Sequence, residues 1–330
     1  MNQLMYHTPA ASAPQANTLK DRDIISFDHI SREDLRLLFD LTDTMKQLTI
    51  NNQPSHLLAG QMVALLFFEP SSRTFGSFAA AVKRLGGQTL EIQQPEVVTS
   101  CVKGETFEDT IRTFEAYSNA IVLRHKLVGA ARLAADAARS VPVINAGDGN
   151  NEHPTQTMLD LYTLYERFGR LDNLKGLLVG DLYNSRTIHS LIRGLSLFPN
   201  NTLYLLSPAQ LRLTRDDYLV FRSRGINIIE ISSMHDIPPD CDFWYWTRIQ
   251  KERFASVEEY EEVAQGKFVV TPQLLRDYAS KDMILMDPLP RVGTIDPVVD
   301  EDERAVYLRS QIRNGLYTRM ALLALVLGKV

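Results

Sequence analysis

Four arginines in this chain stand just beyond short apolar runs, each beside groups that bind anions. The first lies in Phe67-Phe68-Glu69-Pro70-Ser71-Ser72-Arg73-Thr74. There the apolar run Met62 to Phe68 meets Ser71, Ser72, Arg73 and Thr74, and a helical pattern follows with Phe78, Val82 and Leu85 on one face. A helix N-terminus leaves N–H groups unpaired at the positive end of its dipole, which suits a phosphate. Three hydroxyls add donors, and the guanidinium of Arg73 adds a charged fork that grips two oxygens. The other three are Arg124 in Arg124-His125, Arg186 in Ser185-Arg186-Thr187, and Arg248 in Thr247-Arg248-Ile249-Gln250-Lys251-Glu252. Asn151-Glu152-His153-Pro154-Thr155-Gln156 opens a helix with Pro154 in its first turn, so His153 and Gln156, three apart, share a face. Asp287-Pro288-Leu289-Pro290-Arg291 closes the series, and Lys103-Gly104-Glu105-Thr106 opens a further helix. Each feature alone has an ordinary counterpart: a capping serine, a surface arginine, a structural histidine, a solvated lysine.

The elements that carry these residues alternate. Ser31 to Asp34 forms a capping-box pattern ahead of a helix through Leu35, Leu38, Leu41 and Met45. Strands are predicted at 62–68, 121–123 and 141–144, with an alanine-rich helix over 129–139 and a long helix over 154–168. After a junction at 169–175 the alternation restarts, with strands at 177–179, 203–206, 226–231, 243–246 and 283–286 and a helix over 187–197. An apolar helix over 313–328 is long enough to return to the first unit. Short apolar runs alternating with helices argue for parallel sheets covered on both faces. The fold class is therefore α/β: two doubly wound parallel-sheet domains, with the active site in the crevice between them, where strand carboxyl ends gather. The expected division is a loose tail over 1–24, a first domain over 25–155 joined by the helix at 308–330, and a second over 156–307.

Composition narrows the partners. A length of 330 residues suits two domains of about 100–200 residues each. A net charge of −5 argues against non-specific nucleic-acid binding, so anionic substrates require locally clustered arginines. Cys101 and Cys241 are too few for a disulfide framework or a zinc site and fit a reducing cytoplasm. No apolar run approaches the ~18 residues of a membrane span. Gly180-Asp181-Leu182-Tyr183-Asn184 follows a strand without the glycine fingerprint of dinucleotide sites, so no such cofactor is expected.

From about residue 25 onward, the segments 67–74, 103–106, 124–125, 145–156, 185–189, 247–253, 288–291 and 315–327 resemble, in order, the aspartate carbamoyltransferase family. The resemblance implies transfer of the carbamoyl group of carbamoyl phosphate to the α-amine of L-aspartate, the committed step of pyrimidine synthesis. It assigns Ser71, Ser72, Arg73 and Thr74 to the phosphate, and Thr74, Arg124 and His153 to the carbamoyl oxygen. Gln156 and the carbonyls of Pro288 and Leu289 would orient the carbamoyl NH2 and the incoming amine. Arg186, Thr187, Arg248 and Gln250 would take aspartate, with Glu252 bracing Arg248. Lys103, and the hydroxyl of Thr99 four residues earlier, would reach a neighbouring subunit's site, which implies a homotrimer with shared active sites. The resemblance implies no cofactor, no metal and no covalent intermediate, and leaves room for separate regulatory chains.

Three positions depart from the family pattern: Phe75 where an arginine is common, Asp287 where a histidine precedes Pro-Leu-Pro, and Thr99 where a serine is common. Asp287 would bring negative charge to an aspartate-binding crevice unless Arg291 or another cation neutralises it. Two rival readings are an ornithine-type carbamoyltransferase, whose cationic acceptor would not call for Arg248 and Gln250, and a catalytically silent scaffold, which would have no reason to keep the arginines.

Overall fold

The computed structural model describes residues 16–251, 254–264 and 268–330. Its first unit starts with α1 (Arg32–Ile50), where the Ser31 hydroxyl accepts from the Asp34 N–H and the Asp34 carboxylate accepts from the Ser31 N–H. There follow β1 (Met62–Phe67), α2 (Ser72–Arg84), β2 (Gln88–Gln93), the single turn α3 (Pro95–Val98), α4 (Phe107–Glu115), β3 (Ala120–His125), α5 (Ala130–Ala137) and β4 (Val143–Asp148). The four strands are parallel in the order β2-β1-β3-β4. The central strands β1 and β3 are buried almost end to end, which is why they read as continuous apolar runs.

Helix α6 (Pro154–Phe168) leads to the second unit, built from β5 (Lys175–Val179), α7 (Arg186–Leu195), β6 (Thr202–Leu206), α8 (Arg215–Ser223), β7 (Asn227–Ile231), β8 (Phe243–Trp246), α9 (Val257–Ala264), α10 (Pro272–Tyr278) and β9 (Ile284–Met286). Its five strands are also all parallel, in the order β7-β6-β5-β8-β9. Each sheet reverses its winding direction once, between β1 and β3 and between β5 and β8, and each reversal opens a crevice at the carboxyl ends. The final helix α11 (Ile312–Val326) packs against α1, α2 and α6. Leu322, Leu323 and Leu325 on it are at most 1% exposed. Burying each contributes about 1.5–3 kcal/mol.

Three differences from the sequence-based expectation have physical causes. Strand β2 is polar because it forms the edge of its sheet and buries only part of itself, so it carries no apolar run. Helix α8 is mostly polar and buries Phe221, which hid it in the same way. Strand β4 starts two residues later than expected and ends four later, taking in Asn145-Ala146-Gly147-Asp148, because Ile24 pairs beside it and Asn145 N–H donates to the Ile24 carbonyl at 2.9 Å. Gly180, at the end of β5, has φ of 114°, and a Cβ there would lie 2.0 Å from the Thr247 carbonyl oxygen. Only glycine lets β5 and the chain after β8 approach this closely.

Candidate active site

The carboxyl ends of both sheets open onto one cavity of about 810 Å³. Ser71, Ser72, Arg73, Thr74, Arg124, His153, Gln156, Arg186, Thr187, Arg248, Gln250, Pro288 and Leu289 all line it. Three helices start at its wall, and the residues at their N-caps, Ser71 for α2, His153 for α6 and Ser185 for α7, make no side-chain cap hydrogen bond. Their first N–H groups and positive dipole ends therefore add to the field of four arginines. In a chain of net charge −5, this is a local anion trap.

Its geometry rests on a few buried contacts. Arg124, 8% exposed, donates from Nη1 to the Ala146 carbonyl at 3.1 Å. Burial, with Arg186 and Arg73 close by, pushes its guanidinium down to about 9, so it stays charged at neutral pH. Arg186 Nη1 donates to the Gly149 carbonyl at 2.7 Å. Both arginines lie over Gly147, whose φ of 116° and lack of a Cβ leave the room: a Cβ would meet Arg124 Nη1 at 3.1 Å and Arg186 Cζ at 3.3 Å. Arg73 lies open to the cleft, and its Nη2 donates to the Leu289 carbonyl at 2.7 Å, bridging the two units. His153 is 4% exposed, and its N–H donates to Ser190 Oγ on α7 at 2.8 Å. Burial, then Arg124, Arg186 and Arg319, hold its imidazole well below the usual histidine range. At pH 7 it is a neutral ring whose Nε2 stands 3.5 Å from Thr74 Oγ1.

Several functional residues carried no assigned role in the sequence. Glu69 Oε2 lies 3.1 Å from Arg124 Nη2 and 2.9 Å from Arg186 Nη2, so one carboxylate pairs with both. Asp160 is fully buried one helical turn beyond Gln156; its Oδ1 accepts from Gln156 Nε2 at 3.1 Å and Gln311 Nε2 at 2.8 Å, and its Oδ2 accepts from Tyr245 Oη at 2.8 Å. With Nε2 so engaged, Gln156 keeps its carbonyl oxygen for the cleft. The four-residue spacing from Gln156 to Asp160 was the available signal. Arg319 on α11 lies under the cavity, 4% exposed, with Nη1 on Ser77 Oγ at 2.9 Å.

Lys103 is not brought to this cavity. It is exposed and lines a separate depression with Val98, Thr99 and Phe114. Thr99 Oγ1 donates to the Pro95 carbonyl at 2.7 Å. Glu252, expected to brace Arg248, lies outside the described residues. Phe75, where the resemblance implies an arginine, turns its ring edge-on to Phe67, centroids 5.2 Å apart. Asp287 is 2% exposed, and Arg291 does not neutralise it by contact, because Arg291 Nη2 pairs with Asp300 Oδ2 at 2.6 Å. Among the described residues no cluster of histidine, cysteine, aspartate or glutamate could hold a metal ion, and no helix is long and apolar enough to cross a membrane.

Comparison with known proteins gives the same picture over nearly the whole chain. Residues 22–166 match the family model "Aspartate/ornithine carbamoyltransferase, carbamoyl-P binding domain", and residues 172–326 match its "Asp/Orn binding domain". The aspartate carbamoyltransferase catalytic subunit of Thermococcus gammatolerans is 45% identical over 307 residues, covering 93% of this chain and 98% of its own. The chloroplastic aspartate carbamoyltransferase of Arabidopsis thaliana is 44% identical, covering 97% of this chain and 82% of its own. Among solved structures, the M. jannaschii aspartate transcarbamoylase catalytic subunit superposes with a TM-score of 0.84 at 43% identity, covering 92% of this chain and 97% of its own. Aspartate transcarbamoylase from Trypanosoma cruzi in complex with carbamoyl phosphate and aspartate superposes with a TM-score of 0.86 at 34% identity, covering 95% and 98%.

Proposed function

This chain belongs to the aspartate/ornithine carbamoyltransferase family, and from that premise we propose that it transfers the carbamoyl group of carbamoyl phosphate to the α-amine of L-aspartate, releasing phosphate. The observation that carries the reading is the convergence of Arg73, Arg124, Arg186 and Arg248 with three uncapped helix starts on one cavity. A phosphate and two carboxylates need that many cationic partners, whereas an ornithine side chain would be repelled.

The first residues of α2, with Arg73, take the phosphate. Thr74, Arg124 and the neutral His153 present donors to the carbamoyl oxygen, where negative charge grows as the amine attacks. Removing one such donor costs ~3–4 kcal/mol of transition-state stabilisation. The Gln156 carbonyl oxygen and the carbonyls of Pro288 and Leu289 accept from the carbamoyl NH2 and the amine. Arg186, Thr187, Arg248 and Gln250 take the aspartate carboxylates. The tetrahedral adduct collapses with loss of phosphate, which accepts an amine proton. Because anion hands lie on both units, binding both substrates draws the units together.

The working assembly is a homotrimer: Lys103 and Thr99 sit apart from their own cavity, beside Val97, Val98 and Val102, each at least 63% exposed. The compartment is the cytoplasm, in keeping with Cys241 as a buried free thiol. The test of the whole reading is formation of carbamoyl-aspartate by the purified chain, with ornithine as parallel acceptor. Turnover with aspartate alone is expected. Turnover with ornithine would reassign the Arg248 wall, and silence with both would favour a scaffold.

A further inference from the structure

Asp287 is the departure that the binding roles leave unexplained, and its surroundings give it one. It follows β9 directly at the cleft wall, next to Pro288 and Leu289, whose carbonyls are proposed above to meet the incoming amine. Its Oδ1 accepts from the Leu289 N–H, and its own N–H donates to Gln311 Oε1 at 3.1 Å. Its Oδ2 is buried and has no hydrogen-bond partner. A buried acceptor without a donor costs free energy unless a ligand supplies one. The ligand group due beside Pro288 and Leu289 is the α-ammonium of aspartate, which has three protons and must lose one before its nitrogen can attack.

We propose that Asp287 is the general base that deprotonates the α-ammonium of the acceptor. The proposal rests on the carbamoyl-transfer reading above. One ammonium N–H bond breaks, an O–H bond forms at Oδ2, and the freed lone pair bonds to the carbamoyl carbon. A second amine proton leaves with phosphate as the carbon–oxygen bond to phosphate breaks. Asp287 then returns its proton to solvent. The step needs no other reactant.

The groups facing Asp287 suit this task. Arg73 on α2 and Arg291 beyond β9 favour its charged form, whereas Asp160 on α6 opposes it; Tyr245 on β8 and Tyr307 before α11 also face it. Burial dominates and pushes the carboxyl up to about 7. A base works best with its affinity for protons near the working pH.

The test uses Asp287→Asn, which keeps an oxygen for the Leu289 N–H while removing the base. With aspartate at pH 7.5, kcat/KM is expected to fall about a hundredfold, and the acidic limb of its pH profile near pH 7 is expected to vanish. With 2-hydrazinylbutanedioic acid, whose nitrogen is far less basic than the α-amine and is substantially unprotonated at that pH, the loss is expected to stay within about fivefold. Equal losses with both acceptors would make Asp287 structural and overturn the proposal. So would an unchanged acidic limb. If the unaltered chain forms no carbamoyl-aspartate, the underlying reading fails; if it does and Asp287→Asn matches it, only the base assignment fails.

Discussion

Glu69 and Arg186 meet across the cleft, Oε2 of one 2.9 Å from Nη2 of the other, and Arg124 shares the same carboxylate oxygen at 3.1 Å. Glu69 follows β1 in the first unit and Arg186 opens α7 in the second, so a single carboxylate ties both sheets to the anion site. It also offsets part of the burial and of the neighbouring Arg186 charge that lower the proton affinity of Arg124. Glu69→Gln is expected to lower kcat about tenfold, because Arg124 loses its orientation. Inorganic phosphate should inhibit that variant at lower concentration, because a competing anion is gone. Unchanged kcat and unchanged phosphate inhibition would remove Glu69 from the machinery.

Arg73 and Arg248 should separate the two substrates. Arg73→Ala is expected to reduce kcat/KM for carbamoyl phosphate by ~10²–10³, the loss typical of one charge-stabilising donor. Its side chain is exposed, so the melting temperature should barely change. Arg248→Ala should mainly raise KM for aspartate. Steady-state kinetics with each substrate varied in turn checks both, and a normal aspartate dependence in Arg248→Ala would move the acceptor site.

Asp160 touches no substrate; it positions Gln156 by holding its amide NH2. In Asp160→Asn that amide is free to turn over and present NH2 to the carbamoyl NH2. The expected result is about a thirtyfold fall in kcat/KM for carbamoyl phosphate, equivalent to ~2 kcal/mol, the scale of one buried unsatisfied polar contact. Acetyl phosphate has a methyl group at that place, so its turnover should fall less. Equal losses would make Asp160 a purely structural residue.

Two buried carboxyls should lower stability as pH rises toward neutrality, against the opposite contribution of His125, His153 and His189, whose imidazoles burial holds below the usual range. Burial pushes the carboxyls of Asp160 and Asp287 up to about 7 from the ordinary value near 4. Between about pH 4 and 7 the folded chain therefore holds more protons than the unfolded chain, so these groups make unfolding easier as pH rises. Their stabilisation is fully present below about pH 4 and gone above about pH 7. Urea denaturation of the chain and of Asp287→Asn across that range isolates the effect: the variant should lose less stability, or gain more, as pH rises.

The proposed trimer with shared sites predicts complementation. Arg73→Ala and Lys103→Ala chains, each strongly impaired alone, should gain activity well above either when denatured, mixed and refolded together, because in the proposed trimer a mixed assembly contains one intact site. No recovery, with trimers present by sedimentation, would confine each site to one chain.

Much of this protein was legible along the chain, because the signals are local. Buried parallel strands must be apolar, so β1, β3 and β8 announced themselves, and Ser31 with Asp34 marked the start of α1. Each arginine at the end of a strand reads alone as a surface residue; four of them in that position, beside hydroxyls and helix starts, pointed to anions. What the sequence could not decide depends on distance between residues far apart in it. β2 gave no apolar run because being an edge strand is a property of the sheet. Glu69 gains its role only when Arg124 and Arg186 converge, 55 and 117 residues later in the chain. Asp287 looked like a stray negative charge, and only burial, which raises its proton affinity, and a neighbouring arginine committed to Asp300 turn it into a titratable group at the cleft wall. Residue types set which chemistry was available; tertiary packing decided which groups stay charged, which are paired, and which remain open to a substrate.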